Sequence, residues 1–123
     1  MARVLVIDDN QDMRELMQVI LEGAGHAVEL AADGEAGLRA QSLRPVDVVI
    51  TDIFMPNQDG IETISRLREE YPMVKVVAVS GGSASGMKSG SYLFTAREIG
   101  AHVVLSKPFE HDELVRIVRE VMQ

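Results

Sequence analysis

The chain has 123 residues, 46% of them hydrophobic and 25% charged, which suits one soluble-type domain with a single core and is too short for two ordinary domains. A formal charge of -7 and a pI near 4.9 argue against nucleic acid as a direct partner, because phosphate backbones are bound by clustered Lys and Arg. The absence of cysteine excludes disulfides, thiolate metal sites and a Cys nucleophile, and no apolar stretch approaches the ~20 residues of a membrane span.

The first predicted strand covers Arg3 to Ile7. Its early start leaves no room for a signal peptide and makes the cytoplasm the expected setting. A helix follows in which Met13, Leu16, Met17, Ile20 and Leu21 recur at helical spacing, with Asn10 as its cap and Gly23 and Gly25 as stop signals. Ala27 to Ala31 reads as a second strand. Asp33-Gly34 turns into a helix ending near Leu43, where Pro45 prevents continuation.

The third strand is predicted over Val46 to Thr51. After Met55-Pro56, Asp59 and Glu62 form a capping pattern for a helix whose buried stripe is Ile61, Ile64 and Leu67. Pro72 ends it, and Val74 to Val79 is the fourth strand. Residues 81–90 hold four glycines and three serines, so the next helix is expected to start late, near Ser91, and to end by Gly100. That insert is either a surface loop or a functional segment. A fifth strand ends at Lys107-Pro108, and a last helix runs from His111 to Met122 with Leu114, Ile117, Val118 and Val121 facing inward.

Strand and helix alternate five times, and the strands are apolar runs without alternation, the pattern of parallel strands covered on both faces. The expected fold is a flavodoxin-like α/β doubly wound sandwich, five parallel strands in the order 2-1-3-4-5. In such a sheet the ligand crevice lies at the carboxyl ends of the strands. There the chain places Asp8 and Asp9 after Val4-Leu5-Val6-Ile7, Asp52 after Val48-Val49-Ile50-Thr51, and Lys107 after Val103-Val104-Leu105-Ser106.

Convergence of three carboxylates is expensive: two like charges about 4 Å apart repel by roughly 4 kcal/mol at an effective dielectric of about 20. A hard divalent cation relieves that repulsion. Mg²⁺ is the natural candidate, since it takes oxygen ligands and commonly shares its shell with phosphate, and the site reads as one for phosphoryl chemistry.

Val-Ile-Asp-Asp-Asn at 6–10, Thr-Asp-Ile-Phe-Met-Pro at 51–56, Ser80 after Val-Val-Ala-Val, and Ser-Lys-Pro-Phe at 106–109 together resemble the signature set of response-regulator receiver domains. The likeness spans nearly the whole chain, so residues 1–123 are expected to form one receiver domain. It implies that Asp52 accepts a phosphoryl group from a phosphohistidine on a sensor histidine kinase or phosphotransfer protein. It further implies that Asp9, Asp52 and the backbone carbonyl of Phe54 bind Mg²⁺ directly, that Asp8 orients a coordinated water, and that Lys107 pairs with a phosphoryl oxygen. Ser80 takes the place of the family's switch hydroxyl, and Lys107-Pro108 that of a peptide that is cis in the family. The domain is then no enzyme toward other substrates and catalyses only its own phosphorylation and dephosphorylation. Its signal leaves through a downstream effector protein or an output domain outside this chain, with neither nucleic acid nor membrane contacted directly.

The pattern departs from the family at Val104, where receiver domains usually carry Tyr or Phe. His102, on the same side by strand parity, or Tyr92 or Phe94 could supply the missing ring; alternatively they are strand, surface and core residues respectively. Phe54 is expected to shield an acyl phosphate, while Gly82 would leave access open; a long-lived phosphoryl group is the reading taken. His26 and His111 read as surface histidines. Two other functions compete. An aspartyl-phosphate hydrolase of the haloacid dehalogenase type normally carries a second Asp two residues after its nucleophile, where this chain has Phe54. A degenerate receiver that binds partners without phosphorylation is opposed by the intact Asp8, Asp9, Asp52 and Lys107.

Overall fold

The computed structural model describes residues 1–53, 60–81 and 96–123. Its elements are β1 (Arg3–Ile7), α1 (Gln11–Gly23), β2 (Ala27–Ala31), α2 (Gly34–Leu43), β3 (Val48–Asp52), α3 (Gly60–Glu70), β4 (Lys75–Gly81), β5 (Val103–Lys107) and α4 (His111–Val121). A further helical turn occupies 96–99. All strand pairs are parallel, and the sheet order is β2-β1-β3-β4-β5, as the sequence pattern predicts.

The unalternating strands are explained by two cores, one on each side of the sheet. Because successive side chains point to opposite faces, Val4, Val6, Val48, Ile50, Val77 and Val79 pack with Met17, Ile20 and Leu21 of α1 and Leu114, Ile117, Val118 and Val121 of α4. Leu5, Ile7, Val49, Val76 and Ala78 pack on the other side with Leu38 of α2 and Ile64 and Leu67 of α3. At about 1.5–3 kcal/mol per fully buried aliphatic side chain, this double burial is the main force closing the sandwich.

Helix ends follow local chemistry. The Asn10 Oδ1 accepts from the Met13 N–H at 2.9 Å, and the Asp33 Oδ1 accepts from the Ala36 N–H at 2.8 Å. Asp33 is therefore a true cap. Glu110 and Glu113 form a capping box at α4. After α1, Gly25 adopts φ 96, and the His26 N–H donates to the Leu21 carbonyl while that of Gly25 donates to Glu22, a left-handed turn that glycine enters without steric cost.

Several expected boundaries move. Strand β3 starts at Val48 rather than Val46, because the Val46 N–H donates to the Gln41 side chain at 3.0 Å instead of to a neighbouring strand. It also includes Asp52. Strand β4 starts at Lys75, since the Val74 N–H closes a turn on Tyr71, and it continues through Ser80 to Gly81. Helix α4 ends at Val121, with Met122 as its cap. Leu16 is 49% exposed, so the buried stripe of α1 is narrower than its apolar pattern, and Ile61 is only partly buried. The expected cap at Asp59, the Met55-Pro56 turn, most of the 81–90 insert and the helix start near Ser91 lie outside the described residues. Among the described residues no helix is long and apolar enough to cross a membrane.

Candidate functional site

Pairing of Ile7 with Thr51 puts the residues that follow β1 beside the last residue of β3, and pairing of Ser80 with Ser106 and of Gly81 with Lys107 aligns the ends of β4 and β5. Side-chain oxygens of Asp8, Asp9 and Asp52 consequently lie within 4.8 Å of one another. Asp8 and Asp52 are buried, while Asp9 is exposed. Such an all-oxygen group could hold a hard cation.

Lys107, the last residue of β5, joins them. Its Nζ donates to Asp8 Oδ2 at 2.9 Å and to Asp52 Oδ2 at 3.0 Å. Burial by itself lowers the pKa of this lysine, but hydrogen bonding to Asp8 and the charge and hydrogen bond of Asp52 outweigh it and hold the pKa above the usual lysine value. Lys107–Pro108 is cis.

The backbone around the acids is fixed by contacts that sequence reasoning missed. Asp8 Oδ1 accepts from the Asn10 N–H at 2.9 Å, and the Asp8 carbonyl accepts from Arg14 Nη1 at 2.8 Å. The Thr51 hydroxyl donates to the Asp52 carbonyl at 3.1 Å. Gly60, the first residue of α3, stands so close that a Cβ there would overlap the Asp52 carbonyl oxygen and Ile53 Cα. Arg14 lies six residues from Asp8 and bonds a carbonyl, which every residue has, so no residue pattern could have revealed it. The only sequence signal for Gly60 is its place after Asp59 at a helix start.

Ser80 is fully buried at the end of β4, and its hydroxyl has no hydrogen-bond partner among the described residues. Val104 is half-buried against the α2–α3 side of the sheet. His102 Nδ1 accepts from the Val76 N–H at 3.0 Å, at the amino-terminal end of β5 and away from the acids. Phe54, Gly82, Tyr92 and Phe94 lie outside the described residues. His111 is exposed, whereas His26 is half-buried and its Nδ1 accepts from the Ala2 N–H at 3.0 Å. Clefts of about 420 and 400 Å³ open at the amino-terminal edge of the sheet, around Tyr71 and Lys75 and around Ala24 and His26. They are remote from the acidic group and take no part in its chemistry.

Residues 4–119 match the family model of the response regulator receiver domain. The chain belongs to that family. Over 121 residues this receiver domain is 33% identical to the transcriptional regulatory protein DltR of Streptococcus agalactiae, covering 95% of the chain and 50% of that protein. Over 123 residues it is 30% identical to the transcriptional regulatory protein CpxR of Escherichia coli, covering 100% of the chain and 50% of that protein. The receiver domain thus spans about half the length of these curated relatives. Among solved structures it resembles the receiver domain of NtrX from Brucella abortus, with a TM-score of 0.88, 29% identity and 97% of both chains covered. It also resembles the chemotaxis response regulator CheY4 of Vibrio cholerae, with a TM-score of 0.87, 29% identity and 98% of both chains covered.

Proposed function

We propose that residues 1–123 act as one phosphoryl-accepting switch in a two-component system or phosphorelay, with Asp52 as the acceptor. The observation that carries this reading is the convergence of Asp8, Asp9 and Asp52 on one point, bridged by Lys107. Three carboxylates against one ammonium leave an excess of negative charge that fits a bound divalent cation. Asp9, Asp52 and the Phe54 carbonyl would hold Mg²⁺, with Asp8 orienting a coordinated water. The metal, when bound, supplies neutralisation of charge on the phosphoryl oxygens.

The protein's own residues do the rest. An Asp52 carboxylate oxygen attacks phosphorus of a phosphohistidine; the new O–P bond forms as the P–N bond breaks, and its electron pair leaves on the imidazole nitrogen, which takes a proton. The acyl phosphate no longer offers Lys107 the same carboxylate, so its ammonium turns to a phosphoryl oxygen as a point charge. The Ser80 hydroxyl, which has no partner among the described residues, donates to another phosphoryl oxygen and draws the segment after β4 toward the site. That movement, together with β5, alters a partner-binding face, with Val104 in the place of the usual aromatic.

The upstream partner is a sensor histidine kinase or phosphotransfer protein. The downstream one is an effector protein or an output domain beyond these residues. Incubation with a small acyl-phosphate donor and Mg²⁺, followed by intact mass, tests the reading. A stable adduct that disappears in Asp52→Asn supports it. Rapid turnover of the donor would indicate a hydrolase, and no adduct a receiver that does not take phosphate.

A further inference from the structure

The Asp9 carboxylate presents a positional problem. It is exposed, and among the described residues no hydrogen bond or ion pair holds it, although it completes the acidic group. Its placement therefore depends on its backbone. Asp8, by contrast, is fixed at every polar atom: its N–H donates to the Ala31 carbonyl at 3.1 Å, Oδ1 accepts from Asn10, Oδ2 accepts from Lys107, and its carbonyl accepts from Arg14 at 2.8 Å. The last of these bonds matters most for Asp9, because that carbonyl belongs to the peptide plane joining the two aspartates, and a planar peptide carries any rotation at Asp8 directly into Asp9.

We infer that Arg14 is the residue that places Asp9, by clamping the Asp8–Asp9 peptide through its guanidinium. Arg14 is thus a positioning residue for the metal site, acting through the backbone without itself being a ligand. This inference rests on the acidic group being a cation site, the reading made above. Its N–H donor is charged and its length is short, which marks a strong bond. Arg14 sits in the first turn of α1, whose start is fixed by the Asn10 cap, so the clamp refers the acid pair to a rigid helix.

Electrostatics alone makes the opposite prediction, and this separates the two. Removing a positive charge near three carboxylates should tighten cation binding, whereas removing the clamp frees the Asp8–Asp9 peptide and weakens it. Mg²⁺ affinity of the full chain is measured by titration calorimetry for the wild type, Arg14→Ala and Arg14→Lys, beside their thermal unfolding midpoints. Groups that hold metal ligands in place typically affect affinity 10–100-fold. Arg14→Ala is expected to bind Mg²⁺ about tenfold more weakly, with only a modest fall in midpoint, because Arg14 is partly exposed and Ala is a strong helix former. Arg14→Lys, which keeps a charged donor, should recover most of the loss. Phosphorylation by acetyl phosphate should slow at low Mg²⁺ and return to the wild-type rate at saturation.

Equal or tighter binding by Arg14→Ala overturns the inference, as does a loss that Lys fails to lessen. A wild-type chain that binds Mg²⁺ but accepts no phosphoryl group would sink the functional reading and leave the clamp standing. A wild-type chain that binds no Mg²⁺ would overturn both.

Discussion

Lys107 Nζ stands 3.0 Å from Asp52 Oδ2, a contact made across 55 residues of sequence, and its second bond at 2.9 Å runs to the fully buried Asp8. The ammonium is the counter-charge that lets two aspartates sit side by side at the end of the sheet. It also occupies the carboxylates that a cation would need. Lys107→Met should therefore destabilise the metal-free domain by about 1–3 kcal/mol, since carboxylates buried against one another lose their partner. Added Mg²⁺ should restore more stability to this variant than to the wild type, by mass action on a site freed of its competitor. Urea unfolding with and without Mg²⁺ measures both; equal gains from Mg²⁺ would contradict the competition.

The same lysine sets an alkaline limit. Its folded pKa is raised, so its contribution is fully present below the ordinary lysine value of about 10.4 and is lost as pH rises through the higher folded value. Denaturation midpoints followed upward from pH 9 should fall in that window for the wild type, and less steeply for Lys107→Met.

A methyl group at position 60 meets the backbone of Asp52, the proposed acceptor. Backbone cannot step aside as a flexible side chain can, so Gly60→Ala should cost about 2–4 kcal/mol and slow phosphorylation more than tenfold by displacing Asp52. Gly23→Ala is the matched control: nothing lies within 4 Å of its added carbon, and its stability should stay within about 0.5 kcal/mol of the wild type or rise. Calorimetric unfolding of the two variants gives the comparison.

The acidic end of the sheet is legible because two simple regularities coincide: apolar runs mark strands buried on both faces, and a charge terminating such a run marks its carboxyl end, where solvent or a counter-charge must meet it. Asp8, Asp52 and Lys107 obey both. What stays hidden is whatever is made by the backbone. Strand β3 begins two residues late because a side chain five positions earlier, Gln41, captures the Val46 amide. Arg14 grips a carbonyl, and Gly60 matters for an atom it lacks. Leu16 misleads for another reason, since α1 carries more apolar residues than its contact with the sheet can cover.

Two histidines should make stability fall in mild acid. The His102 pKa is lowered by burial first and then by the charges of Arg68 and Lys75; that of His26 is lowered by burial and by the terminal ammonium. Each ring accepts a backbone N–H at Nδ1, which requires the neutral form with its proton on Nε2. The unfolded chain protonates first as pH drops through about 6.5, so stability declines there and levels off below the depressed folded values. His102→Gln keeps an acceptor for the Val76 amide without titrating. Its urea midpoint should change less between pH 7.5 and pH 5 than that of the wild type; identical slopes would show that His102 contributes nothing.

Ser80 should separate folding from signalling. Its hydroxyl is buried without a partner among the described residues, which leaves the desolvation of a polar group uncompensated. Replacing it by a methyl removes that cost, so Ser80→Ala should equal or exceed the wild type in stability of the unphosphorylated domain, by up to about 1 kcal/mol. Asp52, Lys107 and the acidic group are untouched, and adduct formation with acetyl phosphate should remain within about threefold of the wild-type rate. The difference should appear only after phosphorylation: the amide shifts that spread from β4 in the wild type should shrink in Ser80→Ala, because nothing then links the phosphoryl oxygen to the end of that strand. Amide spectra of both proteins with and without the donor decide it, and identical shift changes in the two would remove Ser80 from the switch.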